Sequence, residues 1–166
     1  MQAKLISTLF CLLCLAPSAL AENLPLIENK NKTIAVGVLA ADDAPSGCGC
    51  TYQHPKGKSE DTILGWEVKG ANETEYAFMR LNGKLAKLKM QGTKQIVQKS
   101  KTRDSLGDKR IATFVGDNTT VEVHETAVKV CGKKEESCEV TNYRANLHIR
   151  SGSEELTIQT KGLCGC

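Results

Sequence analysis

From Thr33 onward the apolar positions recur with a period of two, the pattern of half-buried strands. Ile34, Val36 and Val38 alternate with smaller residues, and ADDAPSG at 41–47 is a turn cluster. Cys48, Cys50 and Tyr52 then share one face of an extended segment, and Leu64, Trp66 and Val68 form the next apolar face. The sharpest local signal is AFMRLNGKLAKLKM, in which Asn82-Gly83 predicts a type I′ hairpin turn. That turn sets Leu81 opposite Lys84, Met79 opposite Ala86 and Ala77 opposite Leu88 on one apolar face. Phe78 then faces Lys87, and Tyr76 faces Lys89, on the solvated side, where lysine stems can cover the rings.

The stretch 94–110 is polar and irregular, and predicts a strand to Val97 at most, then a long loop. Strands resume at Ile111 to Val115 and at Thr120 to Cys131. In the second of these the apolar phase flips from odd (Val121, Val123) to even (Val128, Val130), which predicts a bulge or bend near His124 and Glu125. Tyr143, Ala145, Leu147 and Ile149 form one apolar face of the next strand. A Gly152-Ser153 type II′ turn pairs Ile149 with Leu156, Leu147 with Ile158 and Tyr143 with Gly162, where an aromatic can cover the missing side chain. No amphipathic helix and no internal repeat stands out. Many short strands in one modest chain predict an all-β fold: a small antiparallel β-barrel, or a sandwich.

The first residues break this pattern. MQAKLISTLFCLLCLAPSALA has one lysine, an apolar run from Leu5 to Leu15 and an A-x-A site at Ala19-Leu20-Ala21, which predicts a secretory signal peptide over 1–21. Lipoprotein processing at Cys14 is the rival, and Leu13 before it is larger than that processing prefers. Residues 22–32 read as a flexible lead-in and 33–166 as a single β domain. The expected product is exported, periplasmic or secreted, with no transmembrane segment left after cleavage. A formal charge of only +3 for the whole chain argues against a nucleic-acid partner.

The expected export changes how the cysteines read. After cleavage Cys48, Cys50, Cys131, Cys138, Cys164 and Cys166 remain, an even set in an oxidising compartment, and so a disulfide framework. A hairpin with Cys131 bonded to Cys138 pairs Val130 with Glu139 and Val128 with Thr141, laying the even face over the odd one. The two Cys-Gly-Cys triplets each present two sulfurs on one strand face. Antiparallel pairing joins Cys48 to Cys166 and Cys50 to Cys164; parallel pairing joins Cys48 to Cys164 and Cys50 to Cys166. Either would staple an early strand to the last one, as closing a barrel requires. Two other readings stand beside the staple: a four-thiolate metal site of Cys48, Cys50, Cys164 and Cys166 (with His54 nearby), and a thiol-redox device.

Other chemistry is sparse. The chain has no G-x-S-x-G, P-loop, dinucleotide or H-E-x-x-H motif. His124 and His148 sit in strand patterns and read as solvated, and the acidic pairs Asp42-Asp43 and Glu135-Glu136 sit in turns. The basic loop carrying Lys99, Lys101 and Arg103 could grip an acidic partner. Asn31, Asn72 and Asn118 begin N-x-T sequons. No residue set asks for catalysis, and none calls for a cofactor.

The C-terminal stretch ESCEVTNYRANLHIRSGSEELTIQTKGLCGC resembles a pattern of uncharacterised exported bacterial proteins: a C-E-V-T-x-Y-R-A strand, a hairpin and a final G-x-C-G-C. That resemblance implies export and no particular activity. FMRLNGKLAKLKM is similar to the strand–NG–strand hairpin of periplasmic lysozyme-inhibitor barrels. Those barrels place a Ser-Gly-x-x-Tyr type loop soon after the hairpin, whereas KSKTRDSLGDKR here has no tyrosine. The expected role is therefore a non-enzymatic binding or envelope-maintenance protein with a protein or envelope ligand as partner. The alternatives are a metal or thiol-redox protein, and an inhibitor of a lysozyme-like envelope-attacking enzyme.

Overall fold

The computed structural model describes residues 34–58, 61–70, 73–101, 104–132 and 138–166. The expected signal peptide, the lead-in, Asn31, Asn72, Arg103, Glu135 and Glu136 lie outside them. The elements are β1 (Val36–Gly37), one 3-10 turn (Ala41–Asp43), β2 (Gly49–Gln53), β3 (Thr62–Glu67), β4 (Tyr76–Leu81), β5 (Lys84–Val97), β6 (Lys109–Gly116), β7 (Thr119–Lys129), β8 (Val140–Ser151) and β9 (Glu154–Gly165). Each strand from β2 to β9 pairs antiparallel with the next, and β9 returns to pair with β2. The result is a closed eight-stranded up-and-down barrel, with β1 added to the end of β4. Among the described residues no helix is long and apolar enough to cross a membrane.

Two hairpins follow their turn residues. The β4–β5 register has Leu81↔Lys84, Met79↔Ala86 and Ala77↔Leu88 as the Asn-Gly turn requires, with Asn82 and Gly83 at φ 51° and 78°. The β8–β9 register has Ile149↔Leu156, Leu147↔Ile158 and Tyr143↔Gly162, around Gly152 at φ 60°. Lys87 lies with its ammonium 4.1 Å from the Tyr76 ring centre, covering the outer aromatic. The inward faces fill the barrel: Tyr52, Leu64, Met79, Leu88, Phe114, Val121, Val123, Leu147 and Ile149 are all at most 1% exposed. An eight-stranded barrel has an interior just wide enough for such side chains.

The seam between the first and last barrel strands carries the triplets. β2 and β9 run antiparallel, with Gly49↔Gly165 and Cys50↔Cys164 as partners. Cys50 is bonded to Cys164 and Cys48 to Cys166, so the antiparallel alternative holds. The third disulfide joins Cys131 to Cys138.

Several sequence expectations are corrected. The phase break in β7 is three residues later than expected: the register shifts between Ala127 and Lys129. Thr119, Val121, Val123, Glu125 and Ala127 all point inward, and it is Val128 that turns out, at 43% exposed. Glu125 therefore occupies a core position that a phase argument assigns to solvent. The same shift pairs Lys129 with Asn142, so the expected Val128–Thr141 and Val130–Glu139 register is not formed, although Cys131 and Cys138 still bond. Gly162 is covered chiefly by the ring of Tyr52, its partner on β2, which would lie 2.7 Å from an added Cβ.

The Ile34–Val38 alternation yields only a two-residue strand. Ile34 and Leu39 are buried, Val38 is exposed, and the Leu39 amide donates to the Thr62 carbonyl at 2.7 Å. Arg80 donates to Asp43 at 2.9 Å, and Pro45 presses on Gly65. This segment lies over the outer side of β3, so Ile63 and Gly65 are buried there as well as Leu64 and Trp66 within. Val68 falls just past the end of β3 and is exposed.

Candidate binding site at the barrel mouth

The two ends of the barrel differ. One carries the tight turns at Asn82-Gly83, Asp117-Asn118 and Gly152-Ser153. The other, the mouth, gathers the CGC seam, the start of β6, the end of β7 and the described parts of two longer connections, 68–70 with 73–75 and 98–101 with 104–108. Among the inward residues nearest the mouth, Arg110, Glu125, Tyr52, Trp66 and Tyr143 form one polar network.

Arg110 and Glu125 are direct partners on β6 and β7. The Asp117-Asn118 turn sets this register, with both residues at positive φ (46° and 57°). Both side chains point inward. Arg110 Nε donates to Glu125 Oε1, forming an ion pair in which the Glu125 side chain is fully buried. The Tyr52 hydroxyl donates to Glu125 Oε2 at 2.5 Å. The Arg110 guanidinium lies between two rings, 5.3 Å from that of Trp66 and 5.1 Å from that of Tyr143. Its Nη2 reaches the inner disulfide, 3.6 Å from Cys164 Sγ and 4.0 Å from Cys50 Sγ. The flanking aromatics are tied in turn: Trp66 Nε1 donates to Glu75 at 2.8 Å, and the Tyr143 hydroxyl donates to Asp104.

Among the described residues every buried side-chain nitrogen and oxygen has a partner. A half-satisfied network would destabilise the barrel; this one holds its members in one arrangement. Burial pushes the Glu125 carboxyl above its ordinary range, against the pull of the Arg110 charge and the Tyr52 hydrogen bond. Burial works against the Arg110 charge, but Glu125 and the two tyrosines outweigh it and keep the guanidinium protonated beyond its ordinary value. Burial, then the charge and hydrogen bond of Glu125, raises the Tyr52 phenol. Burial and the bond to Asp104 raise Tyr143.

Above this floor lies a cavity of about 440 Å³, rimmed by the outer disulfide and lined by Glu75, Thr93, Asp104, Glu139 and Thr141. Its carboxylates face a guanidinium already neutralised by Glu125, so the opening is acidic, with aromatic walls.

The sequence-predicted site residues fall in different places. Cys48, Cys50, Cys164 and Cys166 are at the mouth, but their sulfurs are bonded in pairs, which leaves no thiolate for the metal reading. Among the described residues no three His, Cys, Asp or Glu side chains are grouped to hold a metal ion. Lys99 is spent within its own loop: its ammonium donates to the Leu106 carbonyl at 2.6 Å, and its amide donates to the buried Asp108. Lys101 is exposed. His124 and His148 pack ring on ring, 4.4 Å apart, on the outer wall away from the mouth.

Arg110 and Glu125, the centre of the site, were missed by sequence reasoning. A signal existed: Asp117-Asn118 is a two-residue turn, and a hairpin about it pairs these opposite charges within two inward-facing apolar sets. Compared with family models, curated proteins and solved structures, the chain matches none.

Proposed function

We propose that this protein is an exported, non-enzymatic binding protein that receives a protein or envelope ligand at the barrel mouth. The observation that carries this reading is the preorganisation of that end. A closed barrel, a doubly bonded seam and an aromatic-clamped ion pair fix the walls of an open acidic cavity before any ligand arrives. Arg110 and Glu125 are engaged with each other and with their neighbours, which suits a structural floor better than a proton-transfer pair. Three disulfides favour an oxidising compartment.

The test is site-specific photocrosslinking in the exporting cell. A photoreactive residue at Thr141, on the mouth, is expected to give a discrete adduct, and one at Ser153, on the opposite end, none. Equal labelling at both ends, or at neither, would overturn the reading. Addition of lysozyme to the pure protein separates the inhibitor alternative, which requires a stable complex and a Thr141–lysozyme adduct.

One observation favours a second reading. The Arg110 guanidinium beside the inner disulfide would stabilise a thiolate if that bond were opened by an external thiol. Rapid, reversible exchange of Cys50–Cys164 with glutathione, slowed in Arg110→Met, would support a redox role.

A further inference from the structure

β5 is longer than the strand it follows. Residues Lys84 to Lys89 pair with β4, whereas Lys89 to Val97 pair with β6. On the side away from β6 the last contact is the Met90 amide, which donates to the Glu75 carbonyl at 2.9 Å. Beyond it Gln91 to Val97 are all exposed, and among the described residues no strand lies along that edge. An antiparallel strand directs half of its backbone N–H and C=O groups to each side. The barrel therefore carries an open strand edge on β5; among the described residues β9 has another, from Glu154 to Thr160 beyond its pairing with β2, but that one lies toward the turn end, whereas the β5 edge borders the mouth. Thr93 lines the acidic cavity and also a second groove of about 340 Å³, which runs between this edge and Gly70, Glu73 and Glu75.

We propose that this edge is a docking site for an extended segment of a partner protein, which adds a strand to β5 and sends a lysine or arginine side chain into the mouth. The proposal rests on the binding reading above and specifies its partner. The register is regular only from Gly92 to Gln95, with shifts on either side, so the added ladder is about four residues long. Thr93 and Gln95 pair with the inward-facing Ala112 and Arg110, and so mark the face from which an added strand would look into the cavity. Lys94 pairs with Ile111 on the outer face.

Charge selects the occupant. Glu75, Asp104 and Glu139 line the cavity; the adjoining groove carries Glu73 and Glu75 against a single cation, Lys89. A cationic side chain is complementary to them, and among the described residues the one cation lining the cavity, Arg110, is already paired. A second copy of this chain fits worse, because symmetric pairing about the middle of the segment sets Lys94 against Lys94 or its close diagonal.

A displayed library of random nine-residue peptides, selected on the intact oxidised protein, tests this. Enriched peptides should carry Lys or Arg at a fixed position and slow amide exchange over 92–95. N-methylation of alternate residues in the selected peptide should weaken binding about tenfold or more, since it removes ladder donors without altering the protein. Glu75→Gln, which keeps an acceptor for Trp66 Nε1, should weaken it about threefold. Enrichment without a basic residue, binding indifferent to N-methylation, or no enrichment would overturn the proposal. So would self-association with 92–95 protected in the absence of peptide, which would assign the edge to a second copy. A crosslink at Thr141 with no peptide selected at the edge would leave the mouth reading standing and remove this one.

Discussion

The two ends of the barrel are held by different physics. At the turn end three of the four reversals take two residues, and the side chains beneath are mostly apolar, buried or half-buried. Local backbone preference and hydrophobic burial suffice there. At the mouth most connections are longer, the inward residues include a charged pair, and the seam is covalent. An end that stays open and polar cannot be filled with hydrocarbon. It is kept in shape by disulfides and by an ion pair whose partners are all supplied. The comparison separates stabilisation that comes with the sequence of turns from stabilisation added so that a polar opening can exist.

Replacing Cys48, Cys50, Cys164 and Cys166 together by alanine should produce the largest loss. Opening a loop with 114 residues of separation costs about 4–5 kcal/mol in the chain-entropy model. Removing only the outer pair, Cys48 and Cys166, should cost far less, because the inner bond still closes nearly the same loop. Denaturant unfolding of the two variants measures the difference, and equal losses would show that the rungs do not share one constraint.

Arg110→Ala comes next. It leaves the Glu125 carboxyl buried and uncompensated, at a cost of about 3–5 kcal/mol. The double variant Arg110→Met, Glu125→Leu should recover most of that in equilibrium unfolding. If it does not, the cation between Trp66 and Tyr143 matters more to the mouth than the pairing of charge.

At the turn end, Gly152→Ala should cost about 1–2 kcal/mol, because Gly152 sits at φ 60°, where a Cβ is strained. Its thermal midpoint should fall while the fluorescence of Trp66, the single tryptophan and a part of the mouth network, stays unchanged.

The smallest effect is in pH. Tyr52 and Tyr143 have phenols raised in the folded protein, first by burial and then by Glu125 and Asp104 respectively. Their contribution is fully present below the free phenol value of about 10 and is lost as pH rises from there through the folded values. Stability should therefore decline above about pH 10, and less steeply in Tyr52→Phe. A decline of equal slope in that variant would place the alkaline transition elsewhere.

Much of this was legible in the residues. Asn82-Gly83 and Gly152-Ser153 each dictate a turn, and a turn fixes a register, so two hairpins could be written down pair by pair. Period-two alternation put Tyr143, Ala145, Leu147 and Ile149 on the core face, where they lie. Alternation misleads where an inward position holds a charge. Glu125 interrupts an apolar face, and alternation alone moves the bend to it, although the strand runs straight through and bends at Ala127–Lys129. Alternation is silent at β3, which is buried on both sides because the upstream segment carrying Leu39 and Pro45 crosses its outer face.

By itself the sequence determined that the chain is built of antiparallel hairpins and that each Cys-Gly-Cys presents two sulfurs on one side of a strand. It left open which sulfur meets which. Tertiary structure decided that by strand number: in an up-and-down barrel of eight strands the last runs opposite to the first, so β9 meets β2 antiparallel and Cys50 falls opposite Cys164. The same closure brought Arg110 to that inner disulfide and left β5 overhanging the mouth. Local preferences act over a few residues; the number of strands, and what faces what across the barrel, belongs to the closed sheet as a whole.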